Sequence, residues 1–279
     1  MIFIDADSLV YKAGWAVERR FYLLPSGERF DNKKDATNVL ESEGRGTELT
    51  QLTASSEVTG GESFANRCLT KLYEAILQPF AGRPFTSFIS SSVNFRHKVA
   101  FTAPYKGNRK DTAKPYYYDF LRDTILGRWN GELVDGIEAD DRMAIEGSAH
   151  PDCVLVGIDK DLLQIPGTHY NYDKGMSVVV SEEDGWRNFF TQVLVGDVSD
   201  NIPGLSGIGP TKAAALLESS RGDWYGNCLR LFQEYYGEQG DERFHETCEL
   251  LYLLRYYEDS WAECRRWFES GGSVQFGQA

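Results

Sequence analysis

Cys153 to Ile165 reads CVLVGIDKDLLQI. The first six residues are apolar and partly β-branched on both faces, and the run ends at an acid pair, Asp159 and Asp161. A strand apolar on both faces belongs inside a sheet covered on both sides, which is the habit of parallel sheets. Three more short runs extend the pattern. MIFI ends at Asp5, FTSFIS ends near Ser91, and GELV leads through a loop to Glu138. Helical stretches alternate with them, so an α/β fold with a mainly parallel central sheet flanked by helices is expected. In such sheets ligands bind beyond the carboxyl ends of the strands. Three of the four runs meet an acid there.

The 279 residues suffice for one large α/β domain or two small ones. Between the first two strands lies an insertion, 19–65. In it RRFYLLPSGERFDN predicts a hairpin around Pro25–Gly27, KKDATNVLE a helix, and the polar SEGRGTELTQLTASSEVTGGES a loop. FANRCLTKLYEAILQPF predicts an amphipathic helix. Beyond Glu218, helices are expected through CELLYLLRYY and WAECRRWF, followed by the tail SGGSVQFGQA. There are no internal repeats. Five scattered cysteines without a C-x-x-C argue for reduced thiols in a cytoplasm. His245 and Cys248 are read as a helix surface rather than half a zinc site. No apolar run reaches membrane-spanning length, and MIFIDADSLV is acidic where a signal peptide is basic. A net charge of −13 argues against nucleic acid when taken alone, but the distribution of charge decides the matter.

Nine carboxylates fall in four clusters: Asp5 and Asp7; Glu138, Asp140 and Asp141; Asp159 and Asp161; Asp197 and Asp200. Asp5 and Asp7 are two apart and share a side of an extended segment. Glu138, Asp140 and Asp141 open a helix, where the dipole tolerates anions. Asp197 and Asp200 are expected on one face of a helix ahead of a glycine turn. Any one cluster alone is an ordinary cap or turn. Together, with oxygen as the only donor, they suit hard cations such as Mg²⁺ or Mn²⁺. Two such ions about 4 Å apart form a clamp for in-line phosphodiester attack.

Basic residues are local too. NFRHKVAFTAPYKGNRKDTAKPYYYDFLRD carries Arg96, Lys98, Lys106, Arg109, Lys110 and Lys114 among Tyr105, Tyr116, Tyr117 and Tyr118, a mixture that suits single-stranded nucleic acid. In GDVSDNIPGLSGIGPTKAAALLE, Gly204 and Gly209 have Walker A spacing, but Pro210-Thr211 follows where Lys-Ser/Thr is required. Gly207-Ile208-Gly209 fails the dinucleotide pattern as well. The stretch is read as helix, glycine turn and helix, holding a DNA backbone on amide N–H groups with Lys212 adding charge.

IDADSLVY, PYKGNRK, GIEADD, GIDKDLLQI and GDVSDNIPGLSGIGPTKAAALLE, in that order, resemble the motifs of the 5′-nuclease or flap endonuclease family. They are most like those of the T-odd bacteriophage replication 5′→3′ exonucleases. The resemblance covers roughly residues 1–18 and 85–220. It implies a first metal group of Asp5, Glu138 and Asp140 and a second of Asp159, Asp161 and Asp200, with Asp141 and Asp197 as near or outer metal ligands. It places Lys106 and Arg109 on the scissile phosphate at the base of a short helical arch about 103–120. Tyr105 would stack on or steer the end base, and Lys110 and Lys114 would add nucleic-acid contacts. Gly204, Gly207, Gly209, Thr211 and Lys212 would form a helix-turn-helix grip on duplex, often with K⁺. Where the family has an aspartate at the second strand end, this chain has Ser91, and Asp7 is expected to compensate.

The implied protein is a nuclease core over 1–190 followed by the helix-turn-helix element and C-terminal helices over 191–279, packed as one unit. Its expected activity is Mg²⁺-dependent 5′→3′ exonuclease with flap endonuclease capability, Mn²⁺ substituting. Expected substrates are double-stranded DNA with a 5′ end, nick or flap, or an RNA–DNA hybrid. A monomer in the cytoplasm, the bacterial host's if phage-encoded, is expected, with no membrane partner. Two alternatives differ in class: a catalytically silent structure-specific DNA-binding protein, and a toxin-type RNase of related fold. The nearly complete acid set argues against the first, and Gly204–Lys212 against the second.

Overall fold

The computed structural model describes residues 1–109 and 112–274. In chain order its strands are β1 (Ile2–Asp5), β2 (Glu18–Leu23), β3 (Arg29–Phe30), β4 (Thr53–Val58), β5 (Phe85–Asn94), β6 (Gly131–Gly136), β7 (Val154–Val156), β8 (Gly167–Asn171), β9 (Met176–Val180), β10 (Gly196–Asp197) and β11 (Ile202–Pro203). Its α-helices are α1 (Asp7–Trp15), α2 (Lys33–Ser42), α3 (Glu62–Leu77), α4 (Arg96–Val99), α5 (Tyr118–Arg128), α6 (Ala139–Ala149), α7 (Glu182–Val195), α8 (Pro210–Ser219), α9 (Trp224–Tyr236), α10 (Gly240–Leu251) and α11 (Trp261–Glu269). The chain forms two compact units, one of residues 1–8, 79–113 and 125–279, the other of residues 9–78 and 114–124. No helix among the described residues is long and apolar enough to cross a membrane.

The larger unit holds a six-stranded sheet in the order β6-β5-β1-β7-β8-β9. All neighbours pair in parallel except β9, which returns antiparallel to β8. Every residue of β1 and β7 is buried, which is why both read as uninterrupted apolar runs. Ile4 pairs with Ser87 of β5 and Val156 of β7, so β1 and β7 end at the same height. That register sets Asp5 near the loop carrying Asp159. The pairing of β5 with β6 slips between Ser90 and Asn94, and β5 runs on past Ser91.

Helix α7 starts cleanly: Ser181 accepts the Asp184 N–H, and Glu182, Glu183 and Asp184 sit where the dipole is positive. Its Trp186, Phe189, Phe190 and Val193 face an aromatic core shared with Trp224, Phe232, Phe244 and Phe268. Helix α7 stops at Gly196, with φ at 76°. Asp197 and Asp200 therefore do not ride a helix, as expected from sequence. They lie in a tight turn whose arms, β10 and β11, pair antiparallel. Cys248 of α10 is buried rather than on a surface, and the His245 ring accepts the Trp261 indole N–H at 3.3 Å.

The smaller unit carries the whole of the insertion 19–65. The hairpin exists as β2 and β3, and the stretch expected as loop supplies β4, which pairs with β2 along six residues. Thr-Ala-Ser-Ser-Glu-Val lacks apolar alternation, and all but one of its residues are exposed, so nothing in its hydropathy marks it as a strand. Leu24, Phe30, Ala36 and Leu40 form a small core there. In α3, Ala65, Leu69, Tyr73 and Ile76 make the buried stripe that its spacing predicted.

Candidate active site

Asp5 ends β1 and is 6% exposed. Its carboxylate accepts the Asp7 N–H at 3.0 Å. Burial, then the charges of Asp7 and Asp159, push its pKa up to about 7. Asp7 opens α1, and both of its oxygens accept the Ser90 N–H, at 3.2 and 3.1 Å, clamping that helix start to β5. Ser91 donates its hydroxyl to Asp135 at 2.6 Å, so a carboxylate that sequence reading passed over stands beside this serine.

Glu138 precedes α6, and Asp140 lies in its first turn. Burial and the charges of Asp5, Asp159, Glu138 and Asp161 raise the Asp140 pKa well above the usual carboxylate range. Asp140 has no hydrogen-bond or ion-pair partner among the described residues. Glu138 differs. Burial alone would raise its pKa, but Lys106 and Arg96 outweigh that and hold it below the usual range. Its carboxylate makes an ion pair with Lys106 and accepts the Tyr105 hydroxyl at 2.7 Å.

Beyond β7, Asp161 opens the 3-10 turn Asp161–Gln164 and gives its N–H to Asp159 at 3.0 Å. Burial, then Asp159, raise the Asp161 pKa to about 7. Asp200 pairs with Arg109 and lies 3.8 Å from Lys106. The basic loop is also laced to the acid turn by main-chain acceptors. Lys106 N–H meets Asp200 O at 2.8 Å, Asn108 meets Val198 O at 2.7 Å, Arg109 meets Ser199 O at 2.8 Å, and Asn201 meets Pro104 O at 2.9 Å. Lys106 and Asn201 both adopt left-handed φ, 53° and 61°.

Glu138, Asp140, Asp159, Asp161 and Asp200 line one cavity of about 50 Å³ together with Lys106 and Arg109. As it stands, no three acid, histidine or cysteine side chains among the described residues are grouped to hold a metal ion. The donor chemistry nonetheless fits hard cations. Asp5, Asp140, Asp159 and Asp161 act on one another electrostatically, and Lys106 and Arg109 supply counter-charge only at Glu138 and Asp200. Asp5, Asp140, Asp159 and Asp161 are the residues that would take divalent ions, with Glu138 and Asp200 joining once their cations let go.

Several sequence expectations are corrected. Asp141 is completely buried and bidentate with Arg96 at 2.6 and 2.8 Å, so both its oxygens are committed. Asp197 accepts the Ser199 and Asp200 N–H groups on one oxygen and Lys160 at 2.9 Å on the other. Burial would raise its pKa, but Ser199 and Lys160 outweigh it and lower it. Tyr105 is 4% exposed and gives its hydroxyl to Glu138 and Asp200, so its ring is not offered to a base. Arg96, read as one of a basic groove, is buried; desolvation works against its charge, but Asp141 outweighs this and raises its pKa. Within the expected arch, the described residues carry one 3-10 turn, Gly107–Arg109. Lys110 lies outside the described residues. Lys114 belongs to the smaller unit, 4.4 Å from the Tyr118 ring.

In the glycine turn, Gly207 has φ at 77° and Gly209 precedes α8, with Pro210 at its first position. Thr211 and Lys212 are exposed. Gly204 is glycine for a different reason: a Cβ there would lie 2.2 Å from the Val195 carbonyl carbon and 2.3 Å from Gly196 N. Sequence reading also missed Gln164 and Gln192. Gln192 donates to Asp161, and Gln164 donates to Gln192 at 2.6 Å. Neither glutamine stands out in its motif.

Among solved structures, the chain is similar to T5 5′-exonuclease with divalent metal ions (zinc) bound. The TM-score is 0.52, with 14% identity, covering 90% of this chain and 86% of that one. It is also similar to the T5 D15 protein co-crystallized with metal ions, at a TM-score of 0.50 and 12% identity, covering 90% and 85%. The chain thus has the 5′-nuclease fold, the fold of the family its motifs resemble. Among curated proteins it is 33% identical over 149 residues to DNA polymerase I of Treponema pallidum (strain Nichols), 47% of this chain and 15% of that protein. It is 29% identical over 183 residues to DNA polymerase I of Chloroflexus aurantiacus, 57% and 18%. It spans less than a fifth of the length of these relatives. No protein-family model matches the chain.

Proposed function

We propose that this protein is a metal-dependent 5′-nuclease that hydrolyses phosphodiesters at 5′ ends, nicks and flaps of duplex DNA, with Mg²⁺ as the working ion. The observation that carries this reading is one cleft lined by acids that follow the parallel strands β6 and β7, by Asp200 of the β10-β11 hairpin, and by Lys106 and Arg109. When bound, a pair of divalent ions would supply the Lewis acidity for in-line attack of water on phosphorus. Asp5, Asp140, Asp159 and Asp161 would hold them.

The rest belongs to the chain's own side chains. Lys106 and Arg109 rest on Glu138 and Asp200. An incoming phosphate draws them away, which places positive charge on the non-bridging oxygens and frees both carboxylates. Burial favours neutral Lys106, but Glu138 and Asp200 outweigh this and raise its pKa, so it arrives at the phosphate charged. Gly207, Gly209, Thr211 and Lys212 grip the duplex backbone away from the cleft, where K⁺ would be held by the turn's carbonyls.

The test is digestion of 5′-labelled nicked, flapped and RNA–DNA hybrid duplexes with Mg²⁺ or with EDTA. Mg²⁺-dependent release from 5′ ends is expected. Binding without cleavage under Mg²⁺ and Mn²⁺ would leave a silent DNA-binding protein. Cleavage of single-stranded RNA alone would leave a toxin-type RNase.

A further inference from the structure

Helix α10 ends at Leu251, and the chain continues extended, with Tyr252 at φ −67° and ψ 125°. Leu250 to Leu254 is buried throughout. Across the helix end and the extended stretch beyond it, the backbone groups of Leu250 to Leu254 serve different acids in alternation. The even residues meet Arg96 and Asp141. Leu250 O accepts Arg96 Nε at 2.8 Å, Tyr252 O accepts Arg96 Nη2 at 2.8 Å, and Leu254 N–H donates to Asp141 at 3.3 Å. Asp141 in turn accepts the Glu138 N–H at 3.1 Å, which fixes the start of α6.

The odd residues meet Gln164. Leu251 O accepts its amide N–H at 2.9 Å, and Leu253 N–H donates to its carbonyl at 3.4 Å. Gln164 also donates to Gln192, whose own amide donates to Asp161. Two buried polar relays therefore start on one five-residue segment. One ends at the helix start bearing Glu138 and Asp140, the other at the Asp161 carboxylate. Buried polar groups linked in this way are costly to break and rigidify what they hold. Outer hydrogen bonds of this kind orient metal ligands.

We propose that Leu250–Leu254 is a strut that sets the separation of the two carboxylate groups, with Arg96 and Gln164 as positioning residues. This rests on the two-metal reading of the cleft. The strut also gives the C-terminal helices a role in the site: they hold a spacer, through α10, at the floor of the cleft that Leu250, Leu251 and Leu253 help to line.

The test uses Mn²⁺ alone on the full chain, with calorimetric titration and electron paramagnetic resonance. Spin coupling between two bound Mn²⁺ ions reports their separation without any substrate. The unaltered chain should bind two Mn²⁺ ions with a coupled spectrum. Gln164→Met keeps the volume and removes the relay; it should weaken one ion by about 10-fold or more and abolish the coupling, while the other ion stays. The charge-neutral pair Arg96→Met with Asp141→Leu should do the same at the other ion. Calorimetry and the thermal melt establish folding of each. Unchanged coupling and affinities in a folded variant would overturn the strut, and so would loss of folding in both variants, which would make the segment core alone. An unaltered chain that binds no pair of ions would overturn the two-metal reading itself.

Discussion

The acids on the floor of the cleft and those on its rim are chemically alike and electrostatically opposite. Asp5, Asp140 and Asp161 sit at strand ends or the first turns beyond them, without an ion-paired cation among the described residues, and their pKa values are pushed upward. Glu138 and Asp197 carry Lys106 and Lys160 respectively, and theirs are pulled down. The floor stores repulsion that divalent ions would relieve. The rim has solved the same problem with its own lysines and arginines, which the nuclease reading needs for phosphate. Under the proposed function, the contrast would give metal affinity mainly to the floor and substrate response mainly to the rim.

The sharpest way to break this contrast is at Asp161. Asp161→Asn keeps the shape and removes a floor charge; cleavage of a nicked duplex should fall at least about 100-fold with duplex affinity retained. Turnover near that of the unaltered protein in Mg²⁺ would remove Asp161 from the metal groups. On the rim, Lys106→Ala should lower turnover by about 100-fold, yet reduce the Mg²⁺ concentration needed for half-saturation, because Glu138 loses its resident cation. A Mg²⁺ requirement that rises instead would make Lys106 a support for the metal groups rather than a competitor.

Acidity offers a test without substrate. Asp5 and Asp161 titrate near 3.8 when unfolded and near 7 when folded and metal-free. The folded state then binds more protons across that window, so the stability they contribute is present below about pH 4 and is lost as pH rises through about 7. Glu138 and Asp197, with lowered values, give the opposite dependence, confined to the acid side of that window. Metal-free protein should therefore melt at progressively lower temperature from about pH 4 to pH 7, and saturating Mg²⁺ should flatten the decline. A metal-free melting temperature that climbs across this range would mean that the floor acids are compensated. The smallest effect is expected far from the cleft: Lys212→Ala should weaken duplex binding modestly and lower the salt slope by about one unit, leaving turnover at saturation unchanged.

The floor was legible in the sequence because its physics is written locally. A buried parallel strand is a short apolar run, and carboxylates recurring after several such runs stand out where one alone reads as a cap or turn. The rim was less legible. Asp197 and Asp200 have helical spacing, but Gly196 and Asn201 take left-handed conformations that turn the segment into a hairpin. The strut was hidden for a related reason: LLYLL within CELLYLLRYY is continuously apolar, and such a run does not disclose where its helix stops. Strand β8 with its partner β9 escaped notice because its middle residue is a buried histidine that gives its ring to the Ile165 carbonyl. Arg96 looked like its neighbours Lys98 and Lys106. Nothing in a sequence marks one arginine of a basic run as the one that is buried, since that depends on Asp141 and the Leu250 and Tyr252 carbonyls, 45 or more residues away.

Where the chain enters and leaves the acid turn, Gly196 and Gly204 meet main chain to main chain, and a Cβ built on either would fall about 2.3 Å from the other's nitrogen. The genetic consequence differs from that of the ion pairs around it. A lost charge at Lys160 or Asp197 leaves room for a new partner nearby, so a second change elsewhere is able to restore the contact. At the glycine crossing there is no side chain to trim on the opposite strand. A selection for revertants of Gly204→Ala should return true revertants and nothing at position 196.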